Sequence, residues 1–147
     1  MRAQHYSDAE PMLLELTKDE PAASGPWANL GVIYRIRGDV DGAEKAFKKA
    51  VELNPRNGTA LNELGVIARE RGDFLTAEAN YQQCVKAQPD NAGCYLNLGI
   101  LYELYLGRFG DALDAYRTFQ TLSVAPDERV QGWVSDLERR LVAGRDS

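Results

Sequence analysis

A set of apolar anchors recurs through most of this sequence at a fixed interval. Trp27, Leu30, Gly31 and Tyr34 are followed by Ala43, Phe47, Ala50 and Pro55. The same places one period on hold Leu61, Leu64, Gly65 and Ala68, then Ala77, Tyr81, Cys84 and Pro89. From Pro55 to Pro89 the period is 34 residues. A third round holds Tyr95, Leu98, Gly99 and Tyr102, then, one residue late, Ala112, Tyr116 and Phe119. A unit this small cannot bury its own apolar face. Three or more must stack to make a continuous core, so the chain is committed to an array.

Within each unit the apolar residues fall in two runs at helical spacing. Trp27, Leu30 and Tyr34 make one stripe of a first helix, and Ala43, Phe47 and Ala50 one stripe of a second. Gly31, Gly65 and Gly99 lie on the first stripe. A glycine inside a helix costs about 1 kcal/mol against alanine, so its return in each unit implies close backbone approach by the partner helix. Pro55 and Pro89 stand where proline stops a helix. Asn57 and Asn91 stand where the next first helix needs an N-cap, and Asp39 and Asp73 where the second helices need one.

With these anchors the chain resembles the tetratricopeptide repeat family over nearly its whole length. The resemblance implies an all-α, right-handed superhelical solenoid of antiparallel helix pairs, with no strand. Helices are expected near 8–18, 26–37, 40–53, 59–71, 74–88, 92–106, 109–122 and 127–142. The array divides into a half-repeat over 1–23, with only its second helix, full repeats over 24–57 and 58–91, a third over 92–126 with one inserted residue, and a capping helix and tail over 127–147. In the half-repeat, Ala9, Leu13 and Leu16 take the places of Ala43, Phe47 and Ala50, which suggests a processed or truncated longer array. Pro11 is expected in the first turn, so that helix should start near Asp8. The last helix presents Val130, Trp133, Val134, Leu137 and Leu141 to the array and charge to water, and Arg145–Ser147 should fray.

Composition narrows the function. Of 147 residues, 44% are hydrophobic and 27% charged, as in an ordinary globular domain. The net charge of −5 argues against a nucleic-acid partner, which would want a basic patch. No run reaches the roughly 18 apolar residues of a membrane span. His5 is the one histidine, so a metal site or histidine-based catalysis lacks companions, and no phosphate-binding glycine loop is present. No cofactor, no metal and no catalytic residue is expected; the chain is not expected to be an enzyme.

Cys84 and Cys94 flank the turn between the second and third units, where Ala50 and Ala60 stand one period earlier. They read either as two small buried residues or as a disulfide, which implies an oxidising compartment such as a periplasm. The compartment therefore stays open between envelope and cytoplasm, with a bonded pair favouring the envelope. The lengthened third turn, Leu104, Tyr105, Leu106, Gly107, Arg108 and Phe109, is expected to pack on the last helix. Its other reading is an apolar protrusion for a partner.

The resemblance also implies a concave groove lined by the first helices. By slot, its residues are Ala28, Val32, Arg35 and Ile36, then Asn62, Val66, Arg69 and Glu70, then Leu96, Ile100, Glu103 and Leu104. Val32, Val66 and Ile100 form an apolar ladder, flanked by Arg35, Arg69 and Glu103. The function so implied is a non-catalytic scaffold holding a peptide or helix segment of another protein. The alternative is a structural assembly factor, of an envelope complex for example, docking through the termini or the third turn; self-association through the array ends is a further option. Chaperone-binding members of the family grip a terminal carboxylate with basic residues and asparagine. Those slots here read Ala28, Val32, Glu63, Gly93 and Asn97, so no such clamp is expected.

Overall fold

Antiparallel helix pairs follow one another along the chain. The structure, a computed structural model, describes residues 2–146, with side chains described over 9–144. The helices are α1 Arg2–Asp19, α2 Gly25–Ile36, α3 Val40–Leu53, α4 Gly58–Glu70, α5 Phe74–Ala87, α6 Ala92–Leu101, α7 Phe109–Leu122 and α8 Glu128–Asp146. A π turn, Tyr102–Leu106, extends α6. No strand occurs among the described residues. The chain is thus an all-α solenoid, with α2/α3, α4/α5 and α6/α7 as pairs.

The helix stops and starts are local chemistry. Gly38 and Gly72 end α2 and α4 at φ 85° and 79°. Each lets the next residue bond back: Asp39 N–H to the Tyr34 carbonyl at 2.8 Å, Asp73 N–H to Ala68 at 2.9 Å. Asp39 and Asp73 then cap α3 and α5 by accepting from the amides of Gly42 and Thr76, at 2.9 and 3.3 Å. Asn57 and Asn91 cap α4 and α6 in the same way, from Ala60 and Cys94.

Two boundaries differ from expectation. α1 does not begin near Asp8: it starts at Arg2 and carries Pro11 in its interior. Proline there removes one backbone donor, and the helix continues on both sides of the gap. α8 continues to Asp146, past the expected end near 142 and into the segment expected to fray. The side chains of His5 and Arg145 lie outside those described, and Ser147 lies outside the described residues.

The core is built by a ring laid across a glycine in each pair. A Cβ at Gly31 would stand 2.5 Å from the Phe47 ring, at Gly65 2.4 Å from Tyr81, and at Gly99 2.3 Å from Tyr116. Phe47 and Tyr81 are 0% exposed and Tyr116 1%. Between successive pairs runs a ladder of ion pairs whose glutamates, Glu10, Glu44 and Glu78, keep the period of the repeat. Arg37 binds Glu10 of α1. Arg71 reaches Glu44 of α3 at 2.6 Å, and Arg108 reaches Glu78 of α5 at 2.7 Å. Each pair is exposed enough to be worth only about 0.2–1 kcal/mol, so the ladder fixes register more than stability. At the C-terminal end, Asp127 accepts from the amide of Arg129 at 3.0 Å to start α8. Val130, Val134 and Leu137 are buried against the preceding helices, and the Trp133 ring lies 5.5 Å from that of Tyr116.

Cys84 and Cys94 are bonded in the structure, with Cα atoms 6.3 Å apart. They join α5 to α6 and form a small buried cluster with Leu61. Val51 and Val85 link that cluster to the larger ones on either side.

Two outcomes follow from this packing. Phe47→Ala should cost about 3–5 kcal/mol, read from urea denaturation. Gly99→Ala should cost about 1–3 kcal/mol by overpacking in spite of its better helix propensity, because the Tyr116 ring has no room to withdraw. The cross-link closes a short loop, so replacing both cysteines by alanine should cost about 2–3 kcal/mol. Mass spectrometry of the alkylated, unreduced protein should find neither thiol modified.

Candidate binding groove

The first helices α2, α4 and α6 lie side by side; they carry ten of the twelve residues assigned to the groove, and Glu103 and Leu104 lie in the π turn that extends α6. Those residues take distinct roles. Val32, Val66, Leu96 and Ile100 are half-buried and pack on the edge of the core. Ala28 is buried, at 4% exposure, and offers a ligand little surface. Ile36 and Leu104 are exposed at 51% and 67%, and Glu70 is exposed.

The polar members are tied across helices, and sequence spacing had not disclosed how. Arg35 Nη1 of α2 lies 2.7 Å from Glu63 Oε2 of α4. That oxygen is buried without a hydrogen bond, so the contact is an ion pair set off the donor's axis. Asn97 of α6 donates to Asn62 of α4 at 2.7 Å. Tyr116 of α7 reaches past Gly99 and donates its hydroxyl to Glu103 at 2.9 Å. The side chain of Arg69, half-buried, makes no hydrogen bond or ion pair, the one arginine side chain among those described so placed.

Burial sets the electrostatics. It pushes the Glu63 carboxyl above the usual range, with Arg35 pulling it partly back and Glu70 adding to the rise. It pushes Tyr81 up to about 12. Tyr116 rises further, through burial and its bond to Glu103.

The third turn meets the last helix only at its end, where Arg140 of α8 covers the Phe109 ring at 5.9 Å. The inserted residue is absorbed in the π turn, closed by Arg108 N–H to the Tyr102 carbonyl at 2.9 Å, with Gly107 at φ 64°. The turn faces back toward the second pair: the Tyr105 ring stacks on Phe74 of α5 at 4.7 Å. Arg108 stands where Asp39 and Asp73 cap, so α7 has no side-chain cap. Arg108 instead covers the Tyr102 ring at 4.6 Å. Tyr105 and Leu104 remain largely exposed, as does Leu75, the residue after Phe74.

A second apolar trough lies where α1 meets α2, lined by Ala9, Met12, Leu13, Leu16, Asn29, Val32 and Ile33. It adjoins the groove through Val32. Its sequence signal was the helical spacing of Leu13 and Leu16, which had been read as core alone. No group of three or more metal-ligating side chains occurs among the described residues, and no described helix is long and apolar enough to cross a membrane.

Stacked helix pairs with a lined face define a helical-repeat scaffold. Models of the tetratricopeptide repeat match residues 26–57 and 46–79, so that stretch of the chain carries tetratricopeptide repeats. No curated protein matches the chain in sequence. Among solved structures, pilF of Pseudomonas aeruginosa superimposes with a TM-score of 0.80 at 20% identity, covering 99% of this chain and 67% of that one. MamA gives 0.76 at 20% identity, covering 91% and 77%. The first tetratricopeptide repeat region of Spaghetti (RPAP3), bound to the HSP90 peptide SRMEEVD, gives 0.72 at 17%, covering 81% and 93%. At these identities the likeness is one of fold.

The pH dependence of stability has a worked sign. The folded chain holds the Glu63 proton more tightly than the unfolded chain does. The stability that this supplies is fully present below the ordinary glutamate pKa and is lost as pH rises through the raised folded value. Glu63→Gln should flatten this part of the profile, so its stability relative to the parent should rise with pH in urea titrations between about pH 4 and 7. A constant difference across that window would mean that Glu63 titrates normally.

Proposed function

We propose that this protein is a non-catalytic interaction scaffold that holds a segment of another protein along the face formed by α2, α4 and α6. The observation that carries this is the row Val32, Val66 and Ile100, one from each repeat, half-buried and flanked by polar groups. Apolar surface removed from water there is worth about 25 cal/mol per Å². The flanking arginines add orientation and association rate more than affinity. The ligand is an extended or helical segment with apolar anchors and some negative charge. The three repeats 24–57, 58–91 and 92–126 together form the binding unit, with 1–23 as a half-repeat before them and 127–147 as the cap.

The family fold and the peptide held by the Spaghetti domain support a protein partner. The slots used for a terminal carboxylate differ here: Glu63 is engaged by Arg35, and Asn97 by Asn62. On this reading the chain has no carboxylate clamp and takes no chaperone-tail ligand. With three repeats and an ordering cost on the ligand, affinity should be micromolar, about −8 kcal/mol.

The exposed Leu75, Leu104 and Tyr105 beside the stacked Phe74 favour a second reading, an assembly factor that docks through the third turn. Pull-down with the immobilised domain separates the two. Val66→Glu should abolish capture of the partner while moving the melting temperature little, since the side chain sits at the edge of the core. Capture that survives Val66→Glu and is lost in Tyr105→Ser/Leu106→Ser would place the partner on the turn instead.

A further inference from the structure

The second repeat carries an internal mismatch that the third does not. In both, a tyrosine from the second helix crosses a glycine of the first and brings its hydroxyl under the groove. In the third repeat, that hydroxyl donates to Glu103. In the second repeat, the slot of Glu103 is filled by Arg69, which has only donors to offer. The Tyr81 hydroxyl, buried, neither donates to nor accepts from a partner, and the Arg69 side chain has none either. The charged groups that act on the hydroxyl are Arg69, Glu63, Glu70 and Arg35, all on the groove side of α2 and α4. Glu63 is neutralised by Arg35 at 2.7 Å, and Glu70 is exposed and screened by solvent. Arg69 is the charge left uncompensated.

A buried hydroxyl donor without an acceptor costs about 1–3 kcal/mol. The Arg69 guanidinium, in the slot from which Glu103 meets Tyr116, offers donors of its own, so the pair calls for an anion with two acceptor oxygens. The third repeat shows which: a carboxylate on a side chain.

We infer that Arg69 and the Tyr81 hydroxyl form a subsite for one aspartate or glutamate side chain of the bound segment, placed next to the apolar floor at Val66. The carboxylate enters as the Arg69 side chain swings aside from the hydroxyl, and it takes the position that Glu103 holds over Tyr116. This rests on the groove being the binding face. It adds to that reading a fixed register, with an acidic residue at the second repeat and apolar anchors on either side.

The probes are two capped tripeptides, acetyl-Leu-Glu-Leu-amide and acetyl-Leu-Gln-Leu-amide. They are followed by the methyl signals of Val32, Val66 and Ile100 and the side-chain Nε–H signal of Arg69 in nuclear magnetic resonance titrations. The glutamate peptide should bind about tenfold tighter than the glutamine peptide, as a charge-assisted bond allows, and should shift the Arg69 signal. Tyr81→Phe and Arg69→Gln should each bring the two peptides to near equality. Tyr81→Phe should fold, because Phe47 already fills the same place over Gly31, and should melt no lower than the parent. Equal binding of the two peptides with shifted valine methyls overturns the subsite and leaves the groove standing. A preference that persists in either variant overturns it as well, as does marked destabilisation by Tyr81→Phe, which would reveal a partner for the hydroxyl within the chain. If neither peptide moves any groove methyl at tens of millimolar, the groove and the subsite fall together.

Discussion

The contact of Phe47 with Gly31, of Tyr81 with Gly65 and of Tyr116 with Gly99 sets how closely the two helices of each pair approach. Any side chain at the glycine would meet a ring carbon within 2.5 Å. Each glycine costs its helix about 1 kcal/mol in propensity, which burying an aromatic side chain more than offsets. The neighbouring positions follow from that approach. Ala43, Ala77 and Ala112 are fully buried because small residues are what the remaining space admits. With the second helix held this close behind, the first helices stand in a row and their other face is left free of core. The groove is therefore a by-product of the ring-on-glycine contact.

Repetition of that contact makes the register between pairs a separate problem, and the ion pairs of Arg37, Arg71 and Arg108 address it. Each reaches back to a glutamate at the same place in the preceding second helix: Glu10, Glu44 or Glu78. The series changes place at the inserted residue: Arg37 and Arg71 stand at the ends of α2 and α4, whereas Arg108 stands at the start of α7. With the π turn before it, Arg108 reaches the same glutamate place, Glu78, from this different slot. The cost falls on the start of α7, which loses the aspartate cap that α3 and α5 keep. Arg108 has exchanged capping for the ion pair and for cover over Tyr102.

Local chemistry was legible in the sequence, and contact between distant residues was not. The caps Asp39, Asn57, Asp73 and Asn91 could be read because donor and acceptor lie within three residues of each other. The helix pairs could be read because the apolar period is helical and repeats. The start of α1 was misread because proline's rule for a helix interior is a cost, which neighbouring turns can bear. In the third turn the contact of Phe109 with the last helix was legible, and the stacking of Tyr105 was not, because its partner, Phe74, lies in the previous repeat and no spacing rule links the two. In the groove, slots named the residues, yet Arg35 with Glu63 and Asn62 with Asn97 join successive helices at offsets set by their lateral stagger. Slot transfer cannot say whether a charged residue is free or already engaged.

A perfectly periodic array would give a perfectly periodic groove, and such a groove could bind a suitable segment in several registers of similar energy. Discrimination among registers has to come from slots where the repeats differ. Here the aromatic slot reads Phe47, Tyr81 and Tyr116, and the slot it points toward reads Arg35, Arg69 and Glu103. The first combination brings no hydroxyl and its arginine is engaged by Glu63. The third brings a hydroxyl and its acceptor together. Only the second leaves both members without hydrogen-bond partners. An unpaired buried donor costs more than a made hydrogen bond returns, so a ligand shifted by one repeat would forfeit that correction while keeping its apolar contacts. On the proposed reading, the apolar ladder would supply affinity with little preference for register, and the one mismatched repeat at its centre would supply the preference.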